Sequence, residues 1–296
     1  MIDSHLHVWS DGGKYPWEVP PPDELKSEAT YEKLIAAARR AGVSGALIVQ
    51  PANHKYDHSY VESALRSEPS FFRGMCLANP TLPTAQAVET LEALHAAGFV
   101  GVRFNPYLFP DGMDSDVGRA LYAKAGELGM PVGVMAFGGF PAQLSAIKAL
   151  LHHSAKTSLI IDHFGFYRQP ATGGLLSDAA ANDETAWGSL LELAASPQVY
   201  VKVSALFRVS AELPPHLDLQ PRLASLLKAF GPNRLMWGSD FPFVTLGGQT
   251  RTQDALTYEQ AAAVPSFWSV EGLDGAAMEA LMGGTAARLF HFDQKA

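Results

Sequence analysis

Cysteine is nearly absent from this sequence, because its 296 residues include only Cys76. A single cysteine can form neither an intramolecular disulfide framework nor a cysteine-rich zinc site. A chain of this length can bury a large core without such cross-links. The scarcity of cysteine fits a reducing compartment, so we expect a cytoplasmic protein, or an organellar one if a transit peptide has been removed.

Long apolar runs and blocks of basic residues are missing as well. No apolar stretch approaches the roughly 20 residues that are needed to span a bilayer. The 22 lysine and arginine residues against 30 acidic residues give a formal net charge of −8, and no basic cluster occurs. This balance argues against nucleic acids and membranes as partners. We expect a small-molecule substrate, and the sequence leaves open whether the chain forms a homo-oligomer.

Two common catalytic signatures do not occur. The sequence has no Gly-x-Ser-x-Gly elbow and no Gly-x-x-x-x-Gly-Lys-Ser/Thr phosphate loop. Cys76 lies within a predicted strand with no base nearby in sequence, so catalysis by a thiolate is not expected.

The sequence does contain eight short β-rich segments, which alternate with loops and helical patterns. Most of them are almost continuously apolar, which is typical of parallel strands buried on both faces. Eight such strands joined by helices close into a barrel, so we predict a single α/β domain over residues 1–296, a (β/α)8 TIM barrel. An open doubly wound sheet is the alternative, but no glycine-rich phosphate loop follows the first strand. The predicted strands are residues 2–7, 46–50, 72–78, 100–105, 131–136, 158–163, 199–204 and 234–239.

The longest connections follow predicted strands one, six and eight. They are rich in glycine and proline and cover about residues 9–30, 164–183 and 241–273. Barrel enzymes build their active sites at the carboxyl ends of the strands, which is where these connections lie. Residues 258–261 within the third connection are expected to form a short helix that covers the pocket.

His5 and His7 end the first predicted strand, in the segment Asp3-Ser4-His5-Leu6-His7. Residues two apart on a strand face the same way, so both imidazoles are expected to project into the barrel mouth. Neutral imidazoles are common ligands of zinc-like cations, and Asp3 on the same face could orient one of them. The alternative is a packed or hydrogen-bonded histidine pair.

His163 ends predicted strand six, and Asp240 directly follows the last residue of predicted strand eight. The imidazole could ligate a metal ion or donate a hydrogen bond to a substrate carbonyl, and otherwise it caps its loop. The carboxylate could deprotonate a water, and otherwise it binds backbone amides in a turn. Because these groups fall at strand ends together with the two histidines, we predict that Asp240 is a general base. Asp162 is expected to point away and to be structural.

Other residues near the strand ends are candidates for substrate binding. Arg103 on predicted strand four and Arg208 after strand seven could each bind an anion such as a substrate carboxylate. The remaining candidates for lining the pocket are Tyr107, Trp9, Gln50 and His54.

Six motifs resemble the amidohydrolase superfamily, specifically the amidohydrolase-related (family 2) branch, which includes pyrone-dicarboxylate, sugar and muconate lactonases. They extend in order from residue 3 to about residue 290. They are Asp3-x-His5-x-His7, Gly101-Val-Arg103, Asp162-His163-Phe-Gly165, Lys202-x-Ser204, Gly238-Ser-Asp240-Phe-Pro242 and Gly283-Gly-Thr-Ala-Ala-Arg-Leu-Phe290.

The resemblance implies a barrel hydrolase with Asp240 as its general base. Binuclear members bridge two metals through a lysine or glutamate on strand four, where this sequence has Arg103, and many carry a ligand histidine on strand five, where residues 132–137 have none. A binuclear site is therefore not expected. The resemblance is compatible with one divalent ion, zinc before others, and also with metal-free catalysis. The ligands of such an ion would be His5, His7, His163 and Asp240.

Three functional hypotheses remain open. The first is hydrolysis of a lactone or similar ester of a small carboxylated metabolite, in which Asp240 activates water and Arg103 holds the carboxylate. The second is a metal-dependent decarboxylase of an aromatic or muconic acid, and the missing strand-five histidine speaks against it. The third is a barrel without turnover, against which the intact set of three histidines and one aspartate speaks.

Overall fold

A parallel sheet of eight strands in sequential order, β1 to β8, forms the centre of the computed structural model, which describes residues 1–137, 139–168, 183–246 and 252–292. The sheet is nearly closed because β8 returns to β1. Leu6 bridges Phe241, the Asp240 amide donates to the His5 carbonyl at 2.9 Å, and the His7 amide donates to the Phe241 carbonyl at 2.7 Å. The predicted (β/α)8 barrel is confirmed, and the open doubly wound sheet is excluded.

The strands agree with the predicted β-rich segments, although β5 and β6 are shorter than expected. Their bounds are β1 Ile2–Leu6, β2 Gly45–Val49, β3 Phe72–Leu77, β4 Phe99–Phe104, β5 Val132–Val134, β6 Leu159–Ile161, β7 Val199–Ser204 and β8 Leu235–Gly238.

Helices cover the outside of the barrel. In α1, Leu34, Ile35 and Ala38 form the buried face, and Gly42 follows the helix with a φ of 73°, a conformation that glycine adopts without a steric penalty. None of the described helices is both long and apolar enough to cross a bilayer. The helices are α1 Tyr31–Arg40, α2 Ser59–Ser67, α3 Thr84–Ala96, α4 Asp116–Glu127, α5 Phe140–His153, α6 Glu184–Glu192, α7 Leu206–Val209, α8 Gln220–Phe230, α9 Tyr258–Ala263, α10 Gly275–Glu279 and α11 Thr285–Leu289.

An apolar layer fills the barrel interior on the side away from the carboxyl ends of the strands. Leu47, Met75, Ile160 and Met236 point inward from four strands and pack with Phe290, which follows α11. The residues that alternate with them along the strands face outward. In β2, for example, Ala46 and Ile48 belong to the larger core between the sheet and the helices. Above this layer, polar side chains from the carboxyl ends of the strands face inward. Lys202 is an exception in its position, because it lies inside β7 and pairs in register with Met236.

An irregularity in β1 changes the face that Asp3 occupies. Asp3 pairs with Ala46 and Leu6 pairs with Ile48, so three steps along β1 match two along β2. The extra residue breaks the alternation of side chains, as in a β-bulge. The expectation that Asp3 shares the inward face of β1 and orients an imidazole is therefore wrong.

The carboxylate of Asp3 instead accepts hydrogen bonds from three groups in different parts of the chain. Its Oδ1 accepts hydrogen bonds from the amides of His5 and Ser239, each at 3.0 Å, and its Oδ2 accepts one from the Tyr258 hydroxyl at 2.9 Å. Burial raises the pKa of this carboxyl group to about 6, although these hydrogen bonds oppose the rise. Asp3 thus links β1, the residue that follows β8, and α9.

The helix expected at residues 258–261 is present as α9. Its Glu259 forms an ion pair with Arg40 of α1 at 2.6 Å, and its Tyr258 reaches Asp3. These contacts hold α9 against α1 and β1, and α9 contributes no residue to the described lining of the central cavity. The expectation that it covers the pocket is therefore not met. Most of the long connection after β6, residues 169–182, lies outside the described residues, as do residues 247–251.

Candidate active site

Three imidazoles and one carboxylate meet at the carboxyl end of the barrel. Oδ1 of Asp240 lies 3.5 Å from Nε2 of His7 and 3.9 Å from Nε2 of His5. The ring centroids of His5 and His163 are 4.4 Å apart. All four side chains are buried. Segments that are more than 200 residues apart in the sequence thus contribute to one cluster.

Two of these residues have an unusual backbone conformation. His163 has a φ of 53° and Asp240 a φ of 59°, and both values lie in the left-handed region. This region is uncommon for residues other than glycine, and each such residue costs about 1–3 kcal/mol. Strained residues of this kind concentrate at functional sites. The conformation also decides where the two side chains point.

The left-handed turn at His163 explains one wrong expectation. Ile160 faces the barrel interior, so strand alternation directs Asp162 inward as well. Asp162 is fully buried and its Oδ1 lies 3.3 Å from Nδ1 of His5, so it does not point away from the site. His163 reaches the same site because the chain turns sharply after Asp162.

His7 and His163 each use Nδ1 for a contact outside the cluster. Nδ1 of His7 lies 2.9 Å from the carbonyl oxygen of Val49, which can only accept, so Nδ1 carries the hydrogen and Nε2 carries the lone pair. Nδ1 of His163 lies 2.7 Å from Oγ of Ser204. These contacts fix both rings and leave Nε2 of each for chemistry in the site.

His5 contacts a buried ion pair, Lys202 and Asp162, which the sequence did not assign to the site. Its Nδ1 lies 3.0 Å from Nζ of Lys202 and 3.3 Å from Oδ1 of Asp162, and Lys202 and Asp162 are 3.3 Å apart. An Nη of Arg103 lies 3.7 Å from the other oxygen of Asp162. The signal that could have revealed this pair is a lysine inside the otherwise apolar strand β7, since buried lysines are rare unless they are paired.

The protonation of this pair follows from its charges. Burial opposes ionisation of Asp162, but Lys202, His5 and Arg103 together hold the pKa of its carboxyl group well below the usual range. Burial lowers the pKa of Lys202, and the carboxylate of Asp162 opposes that change. Asp162 is therefore a carboxylate that stabilises the lysine ammonium.

Arg208 holds the proposed base. Its Nε donates a hydrogen bond to Oδ2 of Asp240 at 2.8 Å, and its guanidinium stacks on the rings of Phe207 and Phe243 at 4.9 and 5.0 Å. Burial opposes ionisation of Asp240, but Arg208 first, and then the histidines, keep the pKa of its carboxyl group well below the usual range. Asp240 is therefore an oriented carboxylate at neutral pH.

The imidazoles of His5 and His163 are neutral. Burial lowers the pKa of His163 to about 4, although Asp240 and Asp162 oppose the change. Burial, and then the charge of Lys202, lowers the pKa of His5 well below its usual value. A neutral imidazole can ligate a metal ion or share a hydrogen bond with a substrate, depending on which nitrogen carries the hydrogen.

The cluster has a donor set that fits one divalent ion. Ligand atoms of His5, His163 and Asp240 all lie within 4.8 Å of one another. Nε2 of His7 lies 3.5 Å from Oδ1 of Asp240. Nε2 of His5 is buried and has no hydrogen-bond partner among the described residues. Imidazole nitrogen and carboxylate oxygen suit zinc and similar cations. Directly after β5, where many relatives of the resembled superfamily carry a ligand histidine, Met135 lines the cavity.

A cavity of about 230 Å³ opens above the cluster. Six residues predicted for the site line it, and the other lining residues were not predicted. Phe137, Phe166 and Phe243 form an apolar wall, and each lies shortly after the end of a strand, which is the signal that could have identified it. The predicted residues are His7, Trp9, Arg103, His163, Arg208 and Asp240, and the others are Pro51, Ala52, Asn53, Met135, Phe137, Phe166 and Phe243.

Three residues predicted to line the pocket are not part of the described lining. Gln50 uses its amide nitrogen to bind the carbonyl oxygens of Lys55 and Asp57, at 3.1 and 2.8 Å. His54 binds the Pro16 carbonyl through Nδ1 and accepts from the Ser10 amide at Nε2. The side chain of Tyr107 is on the surface, with 59% of the residue exposed. Gln50 and His54 therefore hold loops together, because nearby backbone groups bind the amide nitrogen of Gln50 and both ring nitrogens of His54.

A buried, oriented carboxylate beside neutral imidazoles and two arginines, at the carboxyl ends of barrel strands, defines a barrel enzyme of the hydrolase type. The family model described as Amidohydrolase matches residues 2–292 of the chain, and the protein belongs to this family.

Individual relatives agree with this assignment. The 4-sulfomuconolactone hydrolase of Hydrogenophaga intermedia is 30% identical over 250 residues, which cover 81% of this chain and 74% of that protein. The L-fucono-1,5-lactonase of Burkholderia multivorans is 32% identical over 163 residues, which cover 53% of this chain and 51% of that protein. A crystal structure from Pseudomonas putida that carries the name 2-pyrone-4,6-dicarboxylic acid hydrolase has a TM-score of 0.76 and 26% identity, with coverage of 99% and 98%.

Proposed function

We propose that this protein hydrolyses a lactone or a similar ester of a small carboxylated metabolite, with Asp240 as the general base. The observation that carries the proposal is the environment of this carboxylate, which Arg208 holds through one oxygen while the other faces His7 and His5 beneath the cavity. The lactone-hydrolysing names of the relatives support the same reaction class.

The charges of the site support an anionic substrate. Two arginines line the cavity, and they differ in their contacts: Arg208 binds Asp240 at 2.8 Å, whereas Arg103 lies 3.7 Å from Asp162. Nε of Arg103 is buried and has no acceptor among the described residues, and Arg103 lines the cavity. A substrate carboxylate would accept a hydrogen bond from this guanidinium.

Each residue of the cluster has a distinct task in the proposed mechanism. Asp240 takes a proton from water while the water oxygen attacks the lactone carbonyl carbon. His7, whose Nε2 carries a lone pair, accepts the other hydrogen of the water and orients it. His163 and His5 lie beside the carbonyl oxygen and donate hydrogen bonds as it gains negative charge. When the ring C–O bond breaks, Asp240 returns its proton to the leaving oxygen.

One divalent ion is part of the proposal, with zinc favoured by the nitrogen and oxygen donors. His7, His163 and Asp240 would hold it, and His5 would join them only with its ring hydrogen on Nδ1. When bound, it would polarise the carbonyl group and acidify water. The residue tasks given above are those of hydrolysis without an ion, because a bound ion would occupy the same imidazole and carboxylate atoms.

The reaction class is tested by a matched panel of compounds. Carboxylated γ- and δ-lactones, their counterparts without the carboxylate, and aromatic acids are incubated with the purified protein, with a chelator or with added Zn²⁺. We expect acid release from the carboxylated lactones and much less from the uncharged counterparts. Carbon dioxide release from an aromatic acid, without any lactone cleavage, would favour the decarboxylase and contradict the proposal.

A further inference from the structure

Lys202 is a fully buried lysine to which the mechanism above assigns no step. Its Nζ lies 3.0 Å from Nδ1 of His5 and 3.3 Å from Oδ1 of Asp162, and none of the three side chains is exposed to solvent. The lysine therefore bridges the carboxylate and the imidazole. It lies below His5, on the side away from Asp240, which approaches the ring at Nε2.

The hydrogens in this contact are determined by the chemistry of the two groups. A lysine ammonium has three hydrogens and no lone pair, so it can only donate. The imidazole nitrogen that faces it must then accept. If Nδ1 of His5 carried a hydrogen instead, two donors would face each other across 3.0 Å in a site without water-exposed surface. A neutral imidazole has one N–H, and here that hydrogen belongs on Nε2.

We propose that Lys202 is a positioning residue that keeps His5 in the tautomer with hydrogen on Nε2, and so makes His5 a hydrogen-bond donor in the active site instead of a metal ligand. Nε2 is the buried nitrogen without a partner among the described residues. A substrate carbonyl oxygen would give this donor its acceptor. An ion could bind at Nε2 only after the ring hydrogen had moved to Nδ1, towards Lys202.

The neighbouring histidine has the opposite arrangement. Nδ1 of His7 donates to the Val49 carbonyl, so its Nε2 carries the lone pair. Two imidazoles that are two residues apart thus present a donor and an acceptor beside the same carboxylate oxygen of Asp240. The catalytic meaning of this pairing rests on the proposed function, whereas the tautomer of His5 does not.

The tautomer is measured directly by long-range ¹H–¹⁵N correlation spectra of protein labelled with ¹⁵N-histidine, in which the couplings of the ring nitrogens distinguish the two neutral forms. A His5→Asn variant assigns the His5 signals. We expect hydrogen on Nε2 in the wild-type protein. Hydrogen on Nδ1 in the wild-type protein would overturn the proposal without any use of substrate, so the result is independent of whether lactones are cleaved.

Two variants distinguish the effect of the lysine itself from the effect of its ion pair with Asp162. Lys202→Met removes the donor, so Nδ1 of His5 should gain the hydrogen and donate to Asp162, whose two oxygens are buried without a hydrogen-bond partner among the described residues. Asp162→Asn breaks the same pair but keeps the lysine, so the hydrogen should stay on Nε2. Unchanged spectra in a folded Lys202→Met protein would contradict the proposal. If that variant does not fold, the wild-type spectrum decides the question by itself.

Zinc affinity gives a second readout. In Lys202→Met the lone pair of His5 Nε2 becomes available, and Zn²⁺ affinity measured by calorimetry should rise on the order of tenfold or more. Arg103→Met is the control for charge, because it removes one positive charge next to Asp162 without a contact to His5. Equal gains in the two variants would mean that charge alone acts, which would contradict the role assigned to Lys202.

Discussion

Arg208 donates a hydrogen bond from Nε to Oδ2 of Asp240 across 2.8 Å, while Oδ1 of the same carboxylate faces the imidazoles. The two oxygens of the proposed base therefore have separate tasks, since one is held and the other is available for water. Arg208 was expected from the sequence to bind an anion, and in this structure that anion is the carboxylate of Asp240.

Arg208→Met should lower kcat more than it raises KM. The substitution keeps an apolar stem against Phe207 and Phe243 but releases Asp240, and misplacement of a reacting group can cost about 100-fold in rate. Steady-state kinetics on a carboxylated lactone check this. A rise in KM with unchanged kcat would instead assign Arg208 to the substrate carboxylate.

Arg103→Met should have the opposite signature. Arg103 lines the cavity with a buried Nε that has no acceptor in the described part of the chain, so its loss should weaken binding of carboxylated substrates. We expect KM to rise by about 10-fold or more, in line with one charge-assisted hydrogen bond of about 1.5–3 kcal/mol. The control is the matched lactone without a carboxylate, whose KM should change little. An equal effect on both compounds would exclude a specific contact with the carboxylate.

The fold could be predicted from the sequence because parallel barrel strands are buried on both faces and appear as apolar runs. Even β5 and β6, which are shorter than predicted, lie inside the segments 131–136 and 158–163. Eight short apolar segments with helical patterns between them leave few topologies. Once the strands are predicted, the positions of their carboxyl ends are known. These positions indicate approximately where His5, His7, His163 and Asp240 lie.

The details of the site depend on features that have no sequence signal of their own. The register irregularity in β1 turns Asp3 away from the interior, and the left-handed backbone at His163 lets Asp162 and His163 both reach the site. The hydrogen-bonding of Gln50 and His54 depends on loop carbonyls whose positions only the folded chain defines. Sequence periodicity assumes regular strands, and it failed where the strands are irregular.

Gly238→Ala should disrupt the protein at the contact between β8 and β1. A Cβ at this position would lie 2.8 Å from Cβ of His5 and 2.9 Å from its backbone nitrogen. Overpacking of this kind costs about 1–3 kcal/mol in the free energy of unfolding. Gly188→Ala is the control, because that glycine lies exposed in α6 with nothing within 4 Å of the new Cβ. Chemical denaturation should show Gly188→Ala to be more stable than the wild type by about 0.5–1 kcal/mol. Equal stability of the two variants would contradict the close contact between Gly238 and His5.

His58 should make the protein less stable as the pH falls from about 6.5 towards 4. Its Nε2 accepts a hydrogen bond from the Leu77 amide at 3.0 Å, and burial lowers its pKa from 6.5 to about 4. Above pH 6.5 both the folded and the unfolded chain hold this ring neutral. Between these pKa values only the unfolded chain takes up the proton, which favours unfolding by up to about 3 kcal/mol.

The measurement is the free energy of unfolding from urea titrations across this pH range. His58→Gln should lose less stability than the wild type as the pH falls, because the titrating group is gone. His153→Gln, at an exposed position of α5, should keep the wild-type slope. A wild-type slope in His58→Gln would show that this histidine does not contribute to acid sensitivity.

The most direct test of the proposed chemistry is kcat/KM of Asp240→Asn on the best lactone substrate of the wild-type protein. The amide keeps the shape of the side chain but cannot accept a proton from water, so we expect a loss of about 10²–10⁴-fold in a folded protein. Asp274→Asn, which retains an N-cap at the start of α10, should have the wild-type rate. Full activity of Asp240→Asn would contradict the assignment of Asp240 as the general base.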